Sequence, residues 1–184
     1  MEQIVSNFIE MFGNDDAFAA ATPEQIARLR ELIGEQSAAV LDFYSRYQPN
    51  NVPMTESYVR LVDIDTIIAE NTVGEPGKYL AQYGVFVFAL TVGGNVICID
   101  TNDIRDGNPS VLIADASFCA YNESCGCVEI SVAPDEIMEE CDDDILRLDY
   151  ENIVRCLPRI EDSFTEFMSK LSNDEYEDVE EYLE

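Results

Sequence analysis

The stretch that decides the fold is Val85-Phe86-Val87-Phe88-Ala89-Leu90, an unbroken apolar run near the middle of the chain. A run of this length is apolar on both faces, which predicts a central strand covered on each side. The turn residues Gly93-Gly94-Asn95 follow and predict a hairpin, so the partner strand is expected at residues 96–99. Two more strands are predicted downstream, at residues 110–114 and at residues 127–132.

Helical patterns lie on both sides of these predicted strands. Thr22, Pro23 and Gln25 combine a helix cap, a first-turn proline and a capping box. The helix that they start is expected to end near Gly34. Apolar spacing predicts further helices at residues 3–12, 35–47, 64–71 and, after the cap Ser163, 164–171. This order predicts an α+β fold, with helices packed on a central, mainly antiparallel β-sheet of four or more strands.

The domain organisation follows from length and charge. A chain of 184 residues suits one domain, which we expect to span residues 1–171 with an N-terminal helical extension. Residues 172–184 hold seven acidic side chains and are predicted to form an acidic C-terminal tail, because such charge blocks are usually solvated or disordered. Tyr176 and Val179 keep a helical spacing there, which leaves partial helicity open.

Negative charge dominates the composition, with 38 acidic side chains against 10 basic ones and a net charge of −28. Residues 1–92 carry 13 acidic and 5 basic side chains, whereas residues 93–184 carry 25 and 5. Such a field repels nucleic acid and anionic membranes, and it speeds encounter with cationic proteins. We therefore expect a basic protein partner, and neither nucleic acid nor a membrane. The alternative interpretation is a well-solvated surface or a general adaptation to salt.

The cysteines and the N-terminus indicate a cytoplasmic protein. The N-terminal stretch has no basic segment before its apolar residues, so a signal peptide is not expected. The six cysteines are interpreted as free thiols, mostly small core residues, because thiols stay reduced inside the cell. Cys125-Gly126-Cys127 is the one close pair. Its spacing does not match a zinc site, and a tight turn before a strand is the alternative.

The sequence supports neither an enzyme nor a cofactor. Histidine is absent, which excludes His-based triads and His metal ligands. Residues 100–107 superficially suggest a calcium loop, but Ile104 occupies a ligand position and Arg105 the position that requires glycine. That stretch is expected to be a polar loop between strands.

Four segments together resemble the SUKH superfamily of SMI1/KNR4-like proteins. They are LDFYSRYQPNN (41–51), YVRLVDIDTIIAEN (58–71), VFVFALTVGGNVICID (85–100) and EDSFTEFMSKL (161–171). The resemblance implies an SMI1/KNR4-like fold and the role of a bacterial immunity protein, which neutralises a cognate toxin, often a nuclease or a deaminase. Toxins of these classes tend to be basic near their clefts because they hold phosphates. The alternative is a scaffold or regulatory protein-binding module of the same fold.

The candidate binding residues are acidic clusters and one aromatic residue. The first cluster comprises Asp135, Glu136, Glu139, Glu140, Asp142, Asp143 and Asp144, and the second comprises Asp100, Asp103 and Asp106. Tyr121 is the candidate aromatic anchor, whereas Phe118 is expected to pack in the core. For each acidic cluster a solvated face without a partner remains the alternative. We expect a monomer, with a dimer as the other oligomeric state to test.

Overall fold

The computed structural model describes residues 1–141 and 145–183. Its α-helices in these ranges are α1 (Glu2–Phe12), α2 (Pro23–Ile33), α3 (Ala38–Tyr47), α4 (Ile64–Thr72), α5 (Gly77–Leu80), α6 (Asp135–Glu140), α7 (Tyr150–Cys156) and α8 (Phe164–Ser172). Its strands there are β1 (Phe18–Ala19), β2 (Gln48–Pro49), β3 (Val59–Leu61), β4 (Val85–Thr91), β5 (Val96–Arg105), β6 (Asn108–Ala114), β7 (Cys119–Asn122), β8 (Cys127–Ile130) and β9 (Arg159–Glu161). Two 3₁₀ helices span Ala81–Tyr83 and Val179–Leu183.

Five strands form the central sheet, in the order β3-β4-β5-β6-β9, and all neighbours are antiparallel. The predicted α+β fold with helices on a mainly antiparallel sheet is therefore confirmed. The strand expected at residues 127–132 forms as β8, but it pairs with β7 outside the central sheet. The expectation that this strand belongs to the central sheet is wrong, because β9 occupies the edge next to β6.

The prediction of a polar loop at residues 100–107 is wrong for most of its length. Strand β5 continues to Arg105, with Ile104 opposite Pro109 and Arg105 opposite Asn108. The turn is confined to Asp106 and Gly107, which both have positive φ angles, 51° and 78°. Two such residues are what a tight hairpin turn requires, so the strands are paired directly beside the turn, after a register shift between Asp100 and Ile104.

Strand β4 lies between two hydrophobic cores, as its two apolar faces predict. Phe86 and Phe88 belong to the core that contains α1, α3 and α8. Val85 and Val87 face the second core, which is closed by β7, β8, α6 and α7. The central sheet is thus the middle layer of the molecule, and each face buries apolar surface.

Asn71 fastens α4 to β4. It is 4% exposed, and its side-chain amide donates to the carbonyls of Ile67 (2.7 Å) and Val87 (2.8 Å). Its Oδ1 accepts the Val87 N–H at 2.8 Å, so the donors and the acceptor of this buried amide are satisfied. The short helix expected at residues 64–71 is confirmed as α4.

Predicted helix caps are also present. Thr22 Oγ1 accepts the Gln25 N–H at 3.2 Å, and Gln25 Oε1 accepts the Thr22 N–H at 3.0 Å, which completes the capping box. Ser163 Oγ accepts the Glu166 N–H at 3.1 Å and caps α8. Each cap satisfies backbone donors that the first helical turn leaves without an intrahelical partner.

The residues after α8 pack against the core, which corrects the expectation of a solvated or disordered tail. Val179 is fully buried and Tyr176 is 8% exposed. Ser57 Oγ donates to the Tyr176 carbonyl at 2.7 Å. Glu180 accepts from the Gly93 N–H and from the side-chain amide of Asn95, which ties the segment to the β4–β5 turn. The free energy gained by burying the apolar residues of this segment is larger than the free energy that it costs to hold its carboxylates close to the rest of the protein.

Among the helices of the described residues, none combines the length and the apolar character that a membrane crossing requires.

Candidate protein-binding groove

A cleft of about 210 Å³ lies where four segments meet, and we call it the C-terminal groove. The four segments are the connection from β6 to β7, the residues after β8, the end of α7 with the residues after it, and the end of the C-terminal 3₁₀ helix. Its lining includes Asp115, Phe118, Val132, Pro134, Pro158 and Tyr182.

Backbone hydrogen bonds hold the walls of the groove in place. The Ser131 N–H donates to the Phe118 carbonyl at 2.7 Å, which fixes the chain just before Val132. The Ile113 N–H donates to the Pro158 carbonyl at 3.1 Å and holds the residues after α7 against β6. Pro134 and Pro158 have no N–H, so these two positions offer no backbone donor to the groove. The side chains of Arg and Lys in a partner could supply the hydrogen-bond donors that these two proline positions lack.

The groove exposes apolar surface. Val132 is 42% exposed and Tyr182 is 41% exposed, whereas Phe118 below them is 1% exposed. Phe118 is therefore a core residue, as the sequence predicted. A partly exposed aromatic ring beside an aliphatic side chain is the kind of surface that anchors a protein partner.

Acidic side chains flank the groove on two sides. Asp135 and Glu136 open α6 directly after Pro134, and both are exposed. Glu181 is exposed and directly precedes Tyr182 on the opposite wall. Asp115 lies in the lining itself, half-buried, with one carboxylate oxygen accepting the Ser117 N–H at 2.7 Å. The fold thus places an apolar cleft inside a negatively charged rim, which favours cationic partners.

Most basic side chains are already engaged within the molecule. Within residues 1–141 and 145–183, eight of the ten lie within 4.0 Å of a carboxylate, and they are Arg28, Arg30, Arg46, Lys78, Arg105, Arg155, Arg159 and Lys170. One of these pairs lies near the groove, where Arg155 Nη2 contacts Glu140 Oε2 at 2.5 Å. Such pairs neutralise a small part of the acidic excess, so the outer surface stays strongly negative.

The first predicted acidic cluster is partly described by the structure. Asp135, Glu136, Glu139 and Glu140 are all exposed on α6, where Ile137 turns inward and is 8% exposed. Asp142, Asp143 and Asp144 lie outside the described residues. We call the four described acids the α6 acidic cluster. Of these, Glu140 is the one engaged by Arg155, which leaves Asp135, Glu136 and Glu139 as the candidate contacts.

The second predicted cluster is not a single exposed acidic surface. Asp100 is 1% exposed, and its carboxylate accepts a hydrogen bond from the Tyr150 hydroxyl at 2.8 Å. Asp103 pairs with Arg159 at 2.6 Å, and Asp106 alone is exposed, in the β5–β6 turn. The reason is that β5 continues past Ile99, so Asp100 and Asp103 lie in a strand of the central sheet whereas Asp106 lies in the turn after it.

Tyr121 is exposed, at 55%, on β7 opposite Val128. It is not among the residues that line the C-terminal groove. Sequence reasoning missed the residues that do so, chiefly Val132, Pro134, Pro158 and Tyr182. The available signal was the recurrence of apolar residues within the acidic C-terminal segment, which an interpretation based on charge alone discards.

The expectation of six free thiols is wrong for one pair. Cys125 and Cys127 form a disulfide, with their Cα atoms 5.5 Å apart. Among the remaining thiols, burial raises the pKa of Cys119 to about 12 and also raises the pKa of Cys98. These two behave as core residues, as predicted. Within the described residues, no group of three or more Asp, Glu or Cys side chains is arranged to hold a metal ion.

No family model matches this chain, and the comparison with curated proteins finds no relative. The resemblance to the SUKH superfamily therefore stays a prediction.

Proposed function

We propose that this chain is an immunity-type protein that neutralises a basic bacterial toxin of the nuclease or deaminase class by covering its active cleft. The observation that carries the proposal is the C-terminal groove, an exposed apolar cleft between two acidic segments. The net charge of −28 and the resemblance of four segments to SMI1/KNR4-like proteins support it independently.

Binding would proceed in two physical stages. The acidic rim attracts the basic toxin over long range and raises the association rate. Val132 and Tyr182 then bury apolar surface against it, which slows dissociation. Asp115 accepts an Arg or Lys side chain of the toxin inside the groove. A toxin that must hold phosphates loses access to them once its cationic cleft is filled.

The proposal includes a cytoplasmic site of action, because a nuclease or deaminase toxin acts on nucleic acid inside the cell. It also includes a one-to-one complex with a monomer of this chain.

The first test uses basic nuclease or deaminase toxin domains encoded in the same genome as this chain. We expect a one-to-one complex that weakens as salt rises, and loss of toxin activity on nucleic acid when the complex forms. Calorimetry and a nucleic-acid cleavage or deamination assay measure the two effects. Absence of binding at micromolar concentration to any basic toxin domain of the same genome would refute the proposal.

Matched charge variants locate the contact. Asp135→Asn, Glu136→Gln and Glu139→Gln together remove three charges beside the groove and are expected to lower the association rate at least about threefold. Asp15→Asn, Glu10→Gln and Glu31→Gln remove three exposed charges at the helical N-terminal part of the chain and are expected to change it far less. Equal effects of the two triple variants would mean that only the overall charge matters.

Tyr182→Ala tests the apolar anchor. Because the Tyr182 ring is 41% exposed, its loss is expected to leave the fold intact and to raise the dissociation rate about tenfold or more. Tyr58→Ala, at a ring that is 47% exposed outside the groove, is the control. An unchanged dissociation rate for Tyr182→Ala would place the contact elsewhere.

The alternative function is a scaffold or regulatory module that uses the same groove for a cellular protein. Its distinguishing result is a bound cellular partner together with no protection against any toxin.

A further inference from the structure

The tip of the β7–β8 hairpin carries the disulfide between Cys125 and Cys127. Cys125 is exposed and Cys127 is half-buried, opposite Asn122 in the strand register. The Gly126 N–H donates to the Asn122 carbonyl at 2.9 Å, and Gly126 has a φ angle of 67°. That left-handed conformation favours glycine and lets the turn bring the two cysteines together.

This disulfide contributes little to holding the fold together. A disulfide stabilises mainly by constraining the unfolded chain, and the effect is smallest when, as here, one residue separates the cysteines. The hairpin has other supports. Cys119 and Ile130, at its base, are a cross-strand pair buried in the second core, and the Ile130 N–H donates to the Leu146 carbonyl at 2.8 Å.

Three of the four other cysteines are poor competitors for thiol chemistry. Cys98, Cys119 and Cys156 are buried, and burial raises the pKa of all three thiols. A buried thiol with a raised pKa provides little thiolate, which is the reactive form. Cys141 is partly exposed. Within the described residues, the disulfide at the hairpin tip and the Cys141 thiol are therefore the sulfur groups that small-molecule thiols and disulfides can reach in the folded protein.

We propose that Cys125 and Cys127 form a reversible redox pair that exchanges with low-molecular-weight thiols while the rest of the chain stays folded. A small-molecule thiolate attacks Sγ of Cys125, the exposed sulfur, and the Cys125–Cys127 bond breaks. Cys127 leaves as a thiolate and takes a proton from water. A second small-molecule thiolate attacks the mixed disulfide and releases Cys125, so two electrons pass to the protein and one small-molecule disulfide forms.

The test uses the full-length folded protein in buffers of reduced and oxidised glutathione. After equilibration, free thiols are alkylated without denaturant and the alkylated peptides are identified by mass spectrometry. We expect two thiols to become reactive under reducing conditions, both in the peptide that contains Cys125 and Cys127. Oxidised glutathione is expected to restore the disulfide without leaving a glutathione adduct. Reduction only after unfolding, or two thiols that stay free in oxidised glutathione, would overturn the proposal.

Single substitutions test whether the exchange requires both Cys125 and Cys127. Cys125→Ser and Cys127→Ser each leave one thiol at the tip, which is expected to retain glutathione as a stable mixed disulfide. Cys141→Ser is the matched control and is expected to leave the alkylation pattern of the hairpin unchanged. If glutathione were found on Cys141 and not on the hairpin cysteines, the exchange would occur at Cys141 and the proposal would be overturned.

The thermal midpoint separates a redox site from a structural link. We expect the reduced and oxidised proteins to unfold within about 6 °C of each other, because so short a loop constrains the unfolded chain weakly. A much larger fall on reduction would make the disulfide a structural element and would overturn the proposal.

Discussion

Asp100 shows how one buried carboxylate is kept in the interior. Its Oδ2 accepts from the Tyr150 hydroxyl at 2.8 Å, and its Oδ1 accepts from the backbone and side-chain amides of Asn102 at 2.9 and 3.0 Å. A carboxylate that is 1% exposed needs such partners because it has lost its water. Burial, and then the hydrogen bond to Asp100, raises the pKa of Tyr150 to about 12.

Tyr150→Phe is therefore expected to lower the free energy of unfolding by about 1–3 kcal/mol at neutral pH, because Asp100 loses a partner. The pKa of Tyr150 is raised from 10.0 to about 12 on folding, so this stabilisation is complete below pH 10 and is lost as the pH rises through about 12. Urea unfolding of both proteins from pH 8 to pH 12 measures it. A difference between them that stays constant over that range would contradict the assignment.

At the scale of elements, the segment after α8 closes one end of the first core. The Tyr176 hydroxyl donates to Glu161 Oε1 at 2.8 Å, and Lys170 Nζ contacts the same oxygen at 2.6 Å. The Tyr176 ring lies 5.6 Å from the Phe167 ring, centroid to centroid. Val179 is fully buried behind it. This segment also positions Tyr182 in the C-terminal groove, so its packing and the proposed function are linked.

Val179→Ala is expected to lower the free energy of unfolding by about 2 kcal/mol, because it leaves a cavity under the segment. Val73→Ala, the same substitution at a side chain that is 75% exposed, is expected to change it by less than about 0.5 kcal/mol. Urea denaturation at neutral pH compares the two. Equal, small effects would mean that the segment adds nothing to stability.

At the scale of the whole molecule, like charges repel one another across the surface. The chain carries a net charge of −28, and the ion pairs among the described residues engage nine carboxylates. Exposed pairs of this kind contribute little, so repulsion is the larger electrostatic effect. Salt is expected to stabilise the protein by screening that repulsion.

Raising sodium chloride from about 10 mM to about 0.5 M is expected to raise the thermal midpoint by about 3–8 °C. The variant that carries Asp135→Asn, Glu136→Gln and Glu139→Gln is expected to show a smaller rise, because it carries less charge. Scanning calorimetry measures both midpoints. A midpoint that falls with salt would mean that the ion pairs outweigh the repulsion.

The sequence by itself determined the helices α1–α4 and α8, the strands β4, β5, β6 and β8, and the antiparallel arrangement of the central sheet. The capping box at Thr22, the apolar run at Val85 and the turn at Gly93 act through residues close in the chain, so local patterns reveal them. Sequence also identified the exposed acids of α6 and the core role of Phe118. It could not assign β8 to its own hairpin, because apolar alternation does not specify which strands pair.

Only the tertiary structure decided that the C-terminal groove forms and which carboxylates are exposed at the protein surface. Val132, Pro158 and Tyr182 come from three distant segments and form one surface only when those segments pack together. The composition of the chain does not distinguish Asp100 from the exposed acidic residues. Asp100 is buried because β5 continues past it and brings it to Tyr150. The physical reason is common to both: burial depends on contacts between residues far apart in the chain, and composition carries no information about those contacts.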